Sequence, residues 1–301
     1  MRLLLRFVLA AVVAVVALTG YVLIGLPGRG EVRALSAANP ETTGVMRQRE
    51  DEARKAGRPV RRQQSWVPNS RMSRHLVHAV LSSEDQKFFG HEGVDWEAIE
   101  KAAQEDGKKG RLSRGGSTIT QQLAKNLYFT THKSLVRKVR ELIVARWLED
   151  DLSKRRILEL YLNVIEWGDG VYGAQAAAQR YYGKPASALD ASEAAGLAGM
   201  VPNPRTINPR VDPRRFARAQ KRVLWLMAHA GYLSRSGLGA EPPPEPADED
   251  EPAPPERPEP AAAEPEAAAP PPSDAPSPPP AEAPAPEEAP RASPEPAPSP
   301  V

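Results

Sequence analysis

Residues 153–168 read SKRRILELYLNVIEWG, and they decide the fold class. Ile157, Leu160, Tyr161, Val164 and Ile165 recur at intervals of three and four, the spacing of one helix face, and Gly168 supplies the stop. The same period extends outward in both directions. Ser73 is placed to cap a helix carrying Leu76, Val77, Val80 and Leu81, and Asp95 another carrying Trp96 and Ile99. Ile119, Leu123 and Leu127 mark a further helix, and Val139, Leu142, Ile143 and Trp147 the next. Asp190 with Glu193 forms a capping-box pattern, and Asp212-Pro213 opens a last helix through Phe216, Val223, Leu224 and Met227. Hardly any segment alternates with period two. The expected fold is mainly α.

The chain has 301 residues and 33 prolines, of which 24 lie between Glu241 and Val301 together with 15 acidic and only two basic residues. The near-neutral total therefore combines a tail of −13 with a body of +15. A Pro/Ala/Glu segment without aromatic residues cannot bury enough apolar surface to offset its chain entropy, so residues 241–301 are expected to be a disordered tail. Zero cysteines exclude disulfide scaffolds, thiol catalysis and cysteine zinc sites.

From Phe7 to Leu26 the chain runs 20 residues without a charge, enough to cross a hydrocarbon core of about 30 Å at about 1.5 Å per residue. Arg2 and Arg6 precede it, so residues 1–6 are expected in the cytoplasm and everything after Pro27 on the other side. A cleaved signal peptide is the alternative; its apolar stretch is normally shorter. Residues 27–64 are polar and basic and read as a juxtamembrane lead-in, residues 65–240 as the folded domain. Within it, 107–116 (GKKGRLSRGG) reads as a mobile loop.

Three stretches could carry chemistry. Glu84 and Asp85 end an apolar helix, where desolvation can ready a carboxylate as a base; a solvated helix end is the plainer alternative. Gly115-Gly116-Ser117-Thr118 precedes a helix start, a natural seat for an anionic oxygen, with Thr118, Gln122 and Lys125 on its polar face. On the next helix Arg137, Lys138 and Glu141 lie opposite the apolar stripe; Arg137 and Glu141 are four apart, and a weak surface ion pair is the default reading. Two separated carboxylates with several cations suit displacement at a sugar carbon with a diphosphate leaving group.

SSEDQKFFGHEGVD (82–95), RGGSTITQQLAKNLYF (114–129), RKVRELIVARWLE (137–149), KRRILELYLNVIEWGDGVYGAQAAAQRYYGK (154–184) and EAAGLAGMVPNPRTINP (193–209) stand in the order and spacing of the five motifs of the peptidoglycan glycosyltransferases. The chain resembles the monofunctional members of that family. The resemblance implies a lysozyme-like helical glycosyltransferase domain with a small membrane-associated jaw. It also implies polymerisation of lipid II into glycan strands, with inversion at the donor MurNAc carbon and release of undecaprenyl diphosphate. In that reading Glu84 matches the general base, and Glu141 the carboxylate that assists the leaving diphosphate, directly or through a divalent cation, Mg or Mn. Asp85, Phe88 and His91 fit the motif framing the base. Ser117, Thr118, Gln121, Gln122, Lys125 and Asn126 fit the substrate-binding stretch, and Arg137 and Lys138 the cations facing the diphosphate.

The partners implied are lipid II, the growing glycan chain, the bilayer and other cell-wall synthesis or division proteins, with no nucleic acid; the location implied is the bacterial inner membrane with the domain in the periplasm. Two rivals remain. A lytic enzyme of similar fold has no use for the cations Lys125, Arg137 and Lys138. An inactive scaffold recruiting partners through its tail has no use for Glu84 and Glu141.

Overall fold

The computed structural model describes residues 1–100, 116–236 and 242–243; the expected loop at 107–116, apart from Gly116, and the tail beyond Pro243 lie outside the described residues. The described chain is helical nearly throughout: α1 (Arg2–Ile24), α2 (Arg29–Ala34), α3 (Gly44–Lys55), α4 (Arg74–Glu84), α5 (Ile119–Tyr128), α6 (Leu135–Asp151), α7 (Lys154–Val164), α8 (Ala174–Tyr182), α9 (Ala191–Met200) and α10 (Pro213–His229). Side-chain oxygens of Ser73, Thr118, Ser134, Ser153, Asp190 and Asp212 each accept a backbone N–H of the first turn, and the Asp190–Glu193 capping box is complete. The Asp95 cap also forms, on Ala98 N at 2.9 Å.

The α7 stripe is the centre of the core: Ile157, Leu160, Tyr161, Val164 and Ile165 are all buried. The helix stops at Val164, before Gly168, because Ile165 turns extended and leads into β2 (Glu166–Gly168). β3 (Val171–Tyr172) pairs antiparallel with β2 and parallel with β1 (Gln63–Gln64), in the order β1-β3-β2. Strands this short show no alternation in sequence. Gly173, at φ 81°, starts α8 where a Cβ would stand 2.7 Å from the Asn163 carbonyl oxygen, so only glycine fits this return. α5 packs on both α6 and α7, while α9 and α10 pack together and against α4.

Two expectations about the body are corrected. Residues 27–64 are not an irregular lead-in: α2, α3 and β1 belong to the fold, with Val32 and Met46 fully buried and Leu35 nearly so. Their apolar residues are too few and too scattered to make a stripe. Arg156 of α7 holds the segment by donating to the carbonyls of Leu35 and Ala38 at 2.8 Å each. On α6, the buried face is Glu141, Val144, Ala145 and Leu148. Val139 is exposed, and Leu142, Ile143 and Trp147 are half-buried along a groove of about 930 Å³ shared with Phe89 and Trp96. The helix is apolar on more than one side, so periodicity alone picked the wrong one.

α1 has 23 residues, about 34 Å at 1.5 Å per residue, and buries none of them. It is long and apolar enough to cross a membrane. Its end is docked on α6, where Arg140 donates to the carbonyls of Val22 and Tyr21, and the following α2 is tied to the same helix by Arg29 and Arg33, which pair with Asp150 and Asp151.

Candidate active site

The end of α4, one face each of α5 and α6, and the packed pair α9–α10 enclose a cavity of about 520 Å³. Glu84 and Glu141 both line it, with Ser117, Gln121, Gln122, Lys125, Arg137 and Lys138. Glu84 is the last residue of α4 and half-buried; its Oε2 accepts a hydrogen bond from Gln122 Nε2 at 2.8 Å.

Glu141 is 3% exposed, so its charge requires compensation. Arg137 Nη1 stands 2.7 Å from Oε1, and Lys138 Nζ 3.6 Å from Oε2. The Arg137–Glu141 pair thus joins a buried carboxylate to a half-buried guanidinium, against the default of a weak surface pair. Lys138 Nζ also donates to Ser117 Oγ and Gln121 Oε1, each at 2.8 Å. Burial lowers the Lys125 and Lys138 ammonium pKa below the ordinary lysine range, while Glu141 pulls both the other way. Four cations, Lys125, Arg137, Lys138 and Arg222, against two carboxylates leave the cavity with an excess of partly desolvated positive charge, suited to an entering anion.

The expected anion seat at the start of α5 is corrected. Ile119 N donates to Asp85 Oδ2 at 3.0 Å, and Thr118 Oγ1 caps Gln121 N. The seat is filled by the protein's own carboxylate. Thr118 is accordingly buried, its hydroxyl donating to Gly93 O at 2.6 Å, and does not share the polar face of Gln122 and Lys125.

The remaining framing residues lie behind the cavity wall. Gly93 N donates to His91 Nδ1, which leaves Nε2 to carry the proton and donate to both Asp85 oxygens at 3.0 Å. Phe88 is buried beneath the Lys154 ammonium. Asn126 donates to the Gln122 carbonyl at 2.8 Å, within α5. Asp85, Phe88, Thr118 and Asn126 therefore shape the site without lining it.

The sequence reading missed the wall opposite α5 and α6. Gly199, Val201, Pro202, Ile207, Arg222 and Leu226 line it. Gly199 lets α9 approach α10, since a Cβ there would meet Ala219 at about 3 Å. Gly199, Val201, Pro202 and Ile207 lie in the stretch 193–209 that carries the family resemblance, whereas Arg222 is one of five Lys or Arg residues on α10 and stood out by no signal of its own.

The donor set does not fit a divalent cation held by Glu141. Its carboxylate faces two cations, and among the described residues no three His, Asp or Glu side chains converge.

The Transglycosylase family model matches residues 51–228, more than half of the chain. A "Biosynthetic peptidoglycan transglycosylase" of Azoarcus sp. (strain BH72) is 47% identical over 190 residues, 62% of this chain and 82% of the relative. Another so named, of Dechloromonas aromatica (strain RCB), is 54% identical over 167 residues, covering 56% of this chain and 72% of the relative. A third, of Herminiimonas arsenicoxydans, is 49% identical over 167 residues, with the same shares of 56% and 72%. The chain belongs to the transglycosylase family, and is accordingly a glycosyltransferase.

Proposed function

We propose that this enzyme polymerises lipid II into linear glycan strands for the bacterial cell wall, releasing undecaprenyl diphosphate. The observation that carries the reading is the pairing, in one cavity, of a half-buried carboxylate with a cluster of half-buried cations: Glu84 beside Gln122, and Lys125, Arg137 and Lys138 around Glu141. Glu84 takes the proton of the acceptor's 4-hydroxyl as that oxygen attacks the anomeric carbon of the lipid-linked donor. The bond to the diphosphate breaks as the new glycosidic bond forms, and attack from the opposite face inverts the carbon. Lys125, Arg137 and Lys138 stabilise the charge that develops on the departing diphosphate, and Glu141 holds Arg137 and Lys138 in place. A lytic enzyme needs no such cation cluster beside its carboxylate.

The anchor fits a substrate that stays in the bilayer. With Arg2 and Arg6 before the apolar helix, the N-terminus lies in the cytoplasm and the catalytic domain in the periplasm. The half-buried stripe of α6, beside docked α1, is the surface that meets lipid. Purified full-length protein given labelled lipid II in detergent or vesicles tests the reading: glycan polymer is expected. Shortening of preformed glycan without polymer would support lysis instead, and neither activity would leave the scaffold.

A further inference from the structure

Tyr161 is one member of the α7 core stripe, and its ring is fully buried there. Its hydroxyl is not idle. Tyr161 Oη donates to Gln122 Oε1 at 2.8 Å, and Gln122 Nε2 donates to Glu84 Oε2 at 2.8 Å. We infer that Tyr161 is a positioning residue for the reaction, fixing the Gln122 carboxamide so that its N–H end faces the catalytic carboxylate.

A carboxamide has one accepting and one donating end, and a turned amide would present oxygen to the Glu84 carboxylate. A buried phenol needs an acceptor, and Gln122 Oε1 provides it. Burial, then the charges of Glu84 and Asp85, hold the Tyr161 phenol protonated well above its ordinary range, so it stays a donor wherever a carboxylate base works. The need for such a brace is local. Glu84 is the final residue of α4, and the backbone turns extended at Asp85, so the helix supports its side chain from one side only. The brace comes from α7 by way of α5, two elements that pack on each other through the core.

This inference rests on Glu84 being the base, and the test separates the two claims. Lipid II turnover is measured for wild type, Tyr161→Phe, Gln122→Met and the double variant, across pH, with thermal unfolding alongside. Tyr161→Phe keeps the ring and is expected to lower kcat about 10- to 100-fold, the range of one charge-assisted hydrogen bond, with KM for lipid II within about twofold. The acid limb of its rate profile should move to higher pH, because a hydrogen bond to the ionised carboxylate has been loosened. In the Gln122→Met background, Tyr161→Phe should cost nothing further, since the link it works through is gone. Unchanged kcat and acid limb with only a lower Tm would reduce the hydroxyl to a core contact and overturn the inference. Multiplying losses in the double variant would overturn it equally. Should Tyr161→Phe fold poorly, Gln122→Met leaves α7 untouched and must itself move the acid limb; an unmoved limb overturns the inference. A wild type without turnover overturns the base assignment and the inference together.

Discussion

The backbone N–H of Ile119 donates to Asp85 Oδ2 at 3.0 Å, across 34 residues of chain. Two adjacent carboxylates thereby acquire different tasks. Glu84 lines the cavity, and Asp85 anchors the first turn of α5 and receives the His91 N–H. The helix that carries Gln121, Gln122 and Lys125 is set in position by the residue next to Glu84.

Asp85→Ala should therefore act through stability. It leaves Ile119 N and His91 Nε2 without their acceptor in a buried setting, at a cost of about 2–4 kcal/mol from two unmet donors. Urea unfolding of the full chain measures this. Asp85→Asn, which keeps one accepting oxygen, should lose less; equal stability of all three proteins would contradict the scaffold role.

Lys125→Met should separate stability from activity. Burial lowers the Lys125 pKa, with Glu141 raising it and Arg137 lowering it again. Its folded value lies below the unfolded 10.5, so the native state binds the proton less readily. The charged lysine then costs stability at neutral pH; the cost fades as pH rises through the lowered folded value and is gone above 10.5. The variant should unfold at a higher temperature near pH 7, lose that rise with pH, and turn over lipid II at least about tenfold more slowly. A less stable variant with normal turnover would make Lys125 a structural cation.

Truncation should show where the folded unit begins. A chain starting at Leu26 keeps α2 and should match the full protein in urea. One starting at Ala37 removes Val32 and Leu35 from the core, with the Arg29 and Arg33 pairs to α6. The two apolar side chains alone are worth about 3–6 kcal/mol. Equal midpoints for the two shortened proteins would return residues 27–36 to the status of a tether.

Ending the chain after Ala240 should leave turnover within about twofold at 0.15 M salt. The hydrogen bond it removes among the described residues is Arg222 Nη1 to Pro243 O at 2.9 Å. The tail's −13 against the body's +15 is screened beyond about 8 Å at that salt. Loss of activity at physiological salt would show that the tail belongs to the catalytic unit.

How much of this was legible depended on the range of the interaction. The α7 stripe, the Ser73 and Asp95 caps, the Asp190 box and the Asp212-Pro213 helix start are local patterns, and the structure forms them. The phase of α6 was not legible, because its Leu142, Ile143 and Trp147 side is as apolar as the side that packs inward with Val144 and Leu148. α2 and α3 hid for the opposite reason: isolated Val32 and Met46 make no stripe in a basic stretch. Within the site, Glu84, Glu141, Lys125, Arg137 and Lys138 do share one cavity. Thr118 and Asp85 could not be sorted beforehand, since their partners, Gly93 O and Ile119 N, are set by the packing of separate segments. Tyr161 was visible only as an apolar ring, because nothing in a stripe tells where a hydroxyl points.

The most direct measurement is lipid II polymerisation by Glu84→Gln beside wild type, at equal protein concentration and with matched thermal unfolding. The amide keeps the shape and removes the proton acceptor. The rate is expected to fall by about 10²–10⁴ with the unfolding temperature nearly unchanged. Polymerisation by Glu84→Gln at close to the wild-type rate would contradict the assignment of Glu84 as the base, and with it the chemistry proposed for the cavity.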